Sequence, residues 1–81
     1  MPRFVVTFDG QMMDPHFTKI GLADGVDFQS SSTTLGDEGG IGGKRNTVFV
    51  EATSQTAATD AVADALGGDA GKFTNWTVGP A

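Results

Sequence analysis

The sequence predicts an α+β domain: a four-stranded antiparallel sheet carrying one long and one short helix on one face. Three observations lead there. Asn46 to Val78 reads as one strand–helix–strand unit with clear punctuation. Arg3 to Phe8 alternates as a strand ahead of an Asp-Pro helix start. A Ser/Thr-rich segment and a glycine run lie between them.

In chain order, Phe4, Val6 and Phe8 alternate with Arg3, Val5 and Thr7, so the first strand has one heavily apolar face, and Asp9-Gly10 marks its exit. Asp14-Pro15 then opens a helix, with Asp14 as N-cap and proline at the first helical position. Met13, Phe17 and Ile20 form its expected buried stripe. Gly21 and Asp24-Gly25 limit it to about two turns, or reduce it to a degenerate crossover. Val26 to Leu35 is a third extended segment. Its Gln29 to Thr34 stretch is polar on both faces, which suits a sheet edge with a weakly specified register. Residues 36–45, rich in glycine, are expected to form a flexible hairpin loop.

Thr47 to Ala52 is dense in β-branched and aromatic residues and reads as a strand, with Val48, Val50 and Ala52 on one face and Thr47, Phe49 and Glu51 on the other. Thr53-Ser54 offers a hydroxyl cap, without a capping box. From Gln55 to Leu66, the residues Ala57, Ala58, Ala61, Val62, Ala65 and Leu66 make a helical stripe that lies close on a sheet, with Val62 and Leu66 burying most of the area. Gly67-Gly68 ends the helix. Asp69 to Lys72 is a turn, and Phe73 to Val78 is the closing strand.

Strand, helix, strand, strand, helix, strand is the split βαβ order of the ferredoxin-like fold. Right-handed crossovers place both helices on one face. If Phe4, Val6, Phe8, Val48, Val50, Trp76 and Val78 line the covered face, Val5, Phe49 and Phe73 remain on the open one. Apolar residues on several strands of an exposed face argue for self-association or a protein partner, although scattered surface apolars give the same pattern.

The 81 residues make one domain, without cysteine to staple a small core. No run is apolar enough for a membrane span or a secretory signal, so a cytoplasmic location, or assembly into a particle from the cytoplasm, is expected. The net charge of −5, with Arg3, Lys19, Lys44, Arg45 and Lys72 mostly scattered, argues against nucleic-acid binding.

Motifs for chemistry are weak. His16, the single histidine, would need Asp14 or Asp24 to become a general base, and it is read instead as a polar residue in the first turn of a helix. Asp24, Asp27, Asp37 and Glu38 do not have calcium-loop spacing. The glycine run ending at Lys44 fails the phosphate-loop pattern, with Glu38 where the first glycine belongs and Arg45 where Ser or Thr is needed. What remains there is a loop bearing two cations, Lys44 and Arg45, able to order on an acidic partner. The sequon Asn75-Trp76-Thr77 has no role without a secretory signal. Phe4, Phe8 and Phe49 lack the basic residues of an RNA-stacking sheet.

Val48 to Ala52, the helix with Ala58, Ala61 and Leu66, and the ending Phe73 to Val78 resemble the C-terminal half of short accessory proteins of actinobacteria and their bacteriophages. The resemblance covers under half the chain. It implies a ferredoxin-like or related fold and action by binding a host protein or parts of a virion, and it carries over no catalytic residue and no cofactor. The expectation is a non-enzymatic protein-interaction module, a homo-oligomer, using Val5, Phe49, Ile41, Lys44 and Arg45. Two further readings are carried: a structural component of a larger assembly such as a virion decoration or connector, and a small-molecule binder or enzyme on a ferredoxin-like dimer with His16 at its cleft.

Overall fold

The computed structural model describes residues 1–35 and 41–81, with the backbone alone for 33–35 and 41–43. Its elements are β1 (Arg3–Asp9), α1 (Asp14–Leu22), β2 (Val26–Leu35), β3 (Ile41–Glu51), α2 (Gln55–Leu66), a 3-10 turn over Gly67–Lys72 and β4 (Thr74–Pro80). The strands form one sheet in the order β2-β3-β1-β4, antiparallel at every pairing. The polar strand β2 therefore lies at an edge, and it carries register shifts between Phe28 and Ser30 and between Thr34 and Leu35. β3 begins at Ile41, so residues 41–45 extend a strand and are not loop. Residues 36–40, the remainder of that expected loop, lie outside the described residues.

The two strands of highest β-propensity occupy the centre. Phe4 faces Val50, Val6 faces Val48, and Phe8 faces Asn46 across the β1–β3 ladder. Val6, Phe8, Val48 and Val50 are fully buried in one cluster with Ile20 of α1 and with Ala58, Val62 and Leu66 of α2. Both helices therefore cover this one face. Burial of Val62 and Leu66 contributes about 1.5–3 kcal/mol each, while the half-buried Ala57, Ala61 and Ala65 let the helix lie close. Ser54 caps α2, its Oγ accepting from the Ala57 N–H at 3.1 Å. Gly67 closes the helix at φ 67°, a conformation open to glycine.

α1 is a regular nine-residue helix, rotated from the sequence expectation. Met13 is the N-cap, and His16 and Ile20 are the buried residues, one turn apart. Met13 is 58% exposed, and Phe17, at 40%, sits at the margin with its ring edge-on to Phe28 at 5.1 Å. The rotation follows from the polar anchoring of His16 described below.

Phe73 also departs from expectation, being buried at 4% exposure and absent from the open face. β4 starts one residue later, at Thr74, and Phe73 closes the 3-10 turn with its N–H on Ala70 O. Its ring meets Phe8 edge-on at 5.1 Å, while Trp76 stacks on Phe8 at 4.6 Å and donates its indole N–H to Phe73 O. The Phe73 ring fills the space a side chain at Gly10 would need: a Cβ there would lie 2.4 Å from Phe73 Cδ1, at a φ of 147°. Gly10 is thus required both by its conformation and by this contact.

Candidate functional site

Alternation along β1 and β3 aims Arg3, Val5, Thr7 and Asp9, and Arg45, Thr47, Phe49 and Glu51, away from the helices. The ladder aligns them in four rows: Arg3 beside Glu51, Val5 beside Phe49, Thr7 beside Thr47, and Asp9 beside Arg45. β4 adds Gly79 beside Val5 and Thr77 beside Thr7, and β2 adds Asp27 beside Phe49 and Ser30 beside Thr47. The result is an apolar row and a hydroxyl row between two charged rows.

Within the apolar row, Val5 and Phe49 are half-buried. The Arg3 guanidinium lies 4.5 Å from the Phe49 ring centroid, and its Nη2 is 3.4 Å from Asp27 Oδ2. Arg3, Gly25, Val26, Asp27, Phe49 and Glu51 line an open depression of about 230 Å3 at this corner. At the opposite end, Arg45 Nε donates to Asp9 Oδ1 at 2.9 Å, and Asn75 Nδ2 donates to Asp9 Oδ2 at 2.9 Å. The Arg45 contact, then the Asn75 bond, holds the Asp9 carboxyl below its ordinary range, and the same pairing raises Arg45. Asn75 adopts φ 54°, which asparagine tolerates better than most residues, and the β1–β4 register shifts between Thr7 and Asp9. The Thr7 and Thr77 hydroxyls bond to each other in the row between. A carboxylate clamped by the Arg45 and Asn75 side chains, and held below its ordinary range, is a weak proton acceptor.

Of the residues expected to contact a partner, Val5, Phe49 and Arg45 share this face. Lys44 has the opposite parity on β3 and is half-buried. Ile41 starts β3 opposite Leu35, and its side chain lies outside the described residues. The expected two-cation loop is therefore corrected, since both Lys44 and Arg45 are strand residues and Arg45 is paired with Asp9.

His16 meets neither Asp14 nor Asp24. Its partner is Asp69, whose Oδ2 lies 2.9 Å from Nε2, while Nδ1 accepts the Met13 N–H at 3.0 Å. That acceptor role at Nδ1 puts the proton of the neutral ring on Nε2, where it donates to Asp69. The ring is buried at 7% exposure and packs edge-on to Phe73 at 5.4 Å. Lys72 and Lys19 approach the same carboxylate at 3.3 and 3.8 Å. The His16 bond and then Lys72 hold the Asp69 carboxyl below its ordinary range. With both ring nitrogens engaged, His16 ties the start of α1 to the 3-10 turn and has no lone pair for a substrate. Asp69 lies 53 positions from His16 and leaves no local mark in the sequence; the one signal there is a polar side chain at the third helical position, where it can reach back to the N-cap N–H.

Among the described residues, no helix is long and apolar enough to cross a membrane. Comparison with protein-family models, with curated proteins and with solved structures finds no match for this chain.

Proposed function

We propose that this chain is a non-enzymatic interaction module of ferredoxin-like fold that binds a protein partner through its uncovered sheet face. The observation that carries this reading is the Val5–Phe49 pair at the centre of that face, apolar and half-buried, flanked by Arg3, Glu51, Asp9 and Arg45. An apolar centre inside a polar rim is the general layout of protein-binding surfaces. The ferredoxin-like assignment is supported by the order of strands and helices along the chain and by the sheet order β2-β3-β1-β4, with β1 and β3 central. Engagement of both His16 nitrogens favours a structural role for the single histidine over a catalytic one. Such a module fits an accessory protein of the actinobacterial or bacteriophage kind, acting in the host cytoplasm or within a virion.

The test is affinity capture of the tagged protein from a lysate of its host, wild type beside Phe49→Asp, with both shown to be folded by circular dichroism. Wild type is expected to retain one stoichiometric partner through high salt, whether a host protein or untagged copies of the chain itself, and Phe49→Asp to lose it. Equal retention by the two would overturn the assignment of the binding surface.

A further inference from the structure

The pattern on the open face singles out one occupant. Read down β1 it is cation, apolar, hydroxyl, anion (Arg3, Val5, Thr7, Asp9). Read in the same row order on β3 it is anion, apolar, hydroxyl, cation (Glu51, Phe49, Thr47, Arg45). Each row is thus matched across the line between the two strands: opposite charges in the end rows, like chemistry in the middle ones. A two-fold axis running along that line lays β1 of one copy over β3 of another. It sets Arg3 over Glu51, Val5 over Phe49, Thr7 over Thr47 and Asp9 over Arg45, each twice.

We propose that the partner of this face is a second copy of the chain, docked face to face about a two-fold axis parallel to β1 and β3. The inference rests on the reading of the open face as the binding surface. Three physical points support it. A two-fold interface must be self-complementary, and these four rows are. The Asp9–Arg45 pair, 2.9 Å apart within one copy, meets the same pair reversed, so the four charges close a ring in which every neighbour is of opposite sign. A standard interface covers about 800 Å2 per partner, about a sixth of this chain's 4869 Å2 of accessible surface.

Packed sheets lie about 10 Å apart and cross at about 30°. A crossing centred on the apolar and hydroxyl rows leaves those rows in register. It displaces the end rows by about 5 Å, within the swing of Arg and Glu side chains. On the outer strands, Asp27 and Ser30 of β2 come over Gly79 and Thr77 of β4, small residues that leave the approach open.

The experiment is sedimentation velocity on the full chain across a concentration series, with circular dichroism confirming that each variant is folded. Wild type is expected to reach a dimer mass. Arg3→Glu and Glu51→Arg each place like charges opposite one another and are expected to weaken the dimer at least about tenfold. The double variant Arg3→Glu with Glu51→Arg re-forms the pairs and is expected to restore it.

Rescue by Arg3→Glu with Asp9→Arg instead would overturn the proposal, because that pairing belongs to an axis running across the strands. A wild-type monomer at every concentration would also overturn the dimer, while leaving the open-face reading to the Phe49→Asp capture result. A dimer indifferent to all the charge reversals would overturn the proposal by placing the contact on another surface, again leaving the open-face reading to the capture result.

Discussion

Asn46 is fully buried on the covered face of β3, beyond the apolar residues Val48 and Val50, and its amide joins three strands. Nδ2 donates to Phe8 O at 3.2 Å and to Gly10 O at 2.9 Å, and Oδ1 accepts from the Ser31 hydroxyl. Asn46→Leu keeps the approximate volume and removes all three bonds. Each is worth about 0.5–1.5 kcal/mol net, and the groups stranded in the interior add to the loss, so the substitution is expected to cost about 3 kcal/mol. An 81-residue domain has roughly 4–12 kcal/mol in total at 0.05–0.15 kcal/mol per residue, so a quarter or more of the stability rests on this one side chain. Ser31→Ala removes one bond and is expected to cost about 1 kcal/mol. The assay is urea unfolding followed by circular dichroism, in which the midpoint falls with an unchanged slope. A loss below about 0.5 kcal/mol for Asn46→Leu, the range of ordinary surface changes, would mean that the two carbonyls find other donors and that the Asn46 amide does not tie the strands together.

Three further outcomes are expected. Gly10→Ala drives a Cβ into the Phe73 ring at a φ of 147°, and thermal unfolding should register a loss of about 1–3 kcal/mol. Leu66→Ala empties a fully buried site of α2 and should cost about 2–5 kcal/mol by chemical denaturation, whereas Leu22→Ala, at 80% exposure, should stay within about 0.5 kcal/mol. The folded-state value of Asp69 is depressed, chiefly by His16 and then by Lys72. The stability it contributes is therefore present above the unfolded carboxylate value of about 3.9 and is lost as pH falls through the lower folded value. Asp69→Asn should flatten the acid limb of the stability–pH profile below about pH 4, and an unchanged limb would contradict the depression.

What the sequence made legible was local. β2 spans Val26–Leu35 as the composition suggested, and α2 spans Gln55–Leu66 because its cap, alanine stripe and glycine stop act within a turn or two of the chain. β1 and β3 were legible as strands because their β-branched and aromatic residues alternate, while their central pairing emerges only in the structure. The exceptions arise where distant residues decide. Met13 and Phe17 looked like the buried stripe of α1 by spacing, but the bonds from His16 to the Met13 N–H and to Asp69 turn the helix so that His16 and Ile20 face inward. Phe73 looked like a strand residue, but the 3-10 turn delivers it into a gap left by Gly10. Arg45 sits in a stretch whose glycines argue for a loop, yet strand pairing opposite Asp9 holds it in the ladder. On the candidate site, alternation put Val5 and Phe49 on one face, but both faces of these strands carry apolar residues, and only the packing of the helices on Val6, Phe8, Val48 and Val50 decides which face is left open. The charged rows around them were not legible, because register decides which charges become neighbours.

The most direct test of the proposed binding surface is solvent paramagnetic relaxation on methyl-labelled protein in its associated state. A soluble paramagnetic probe broadens the methyls it can reach. The Val5 methyls are expected to be shielded on association, while those of Leu22 and Met13, on the helical side, stay as accessible as in the free chain. Shielding of Met13 and Leu22 with Val5 left open would move the interface to α1 and contradict the central claim.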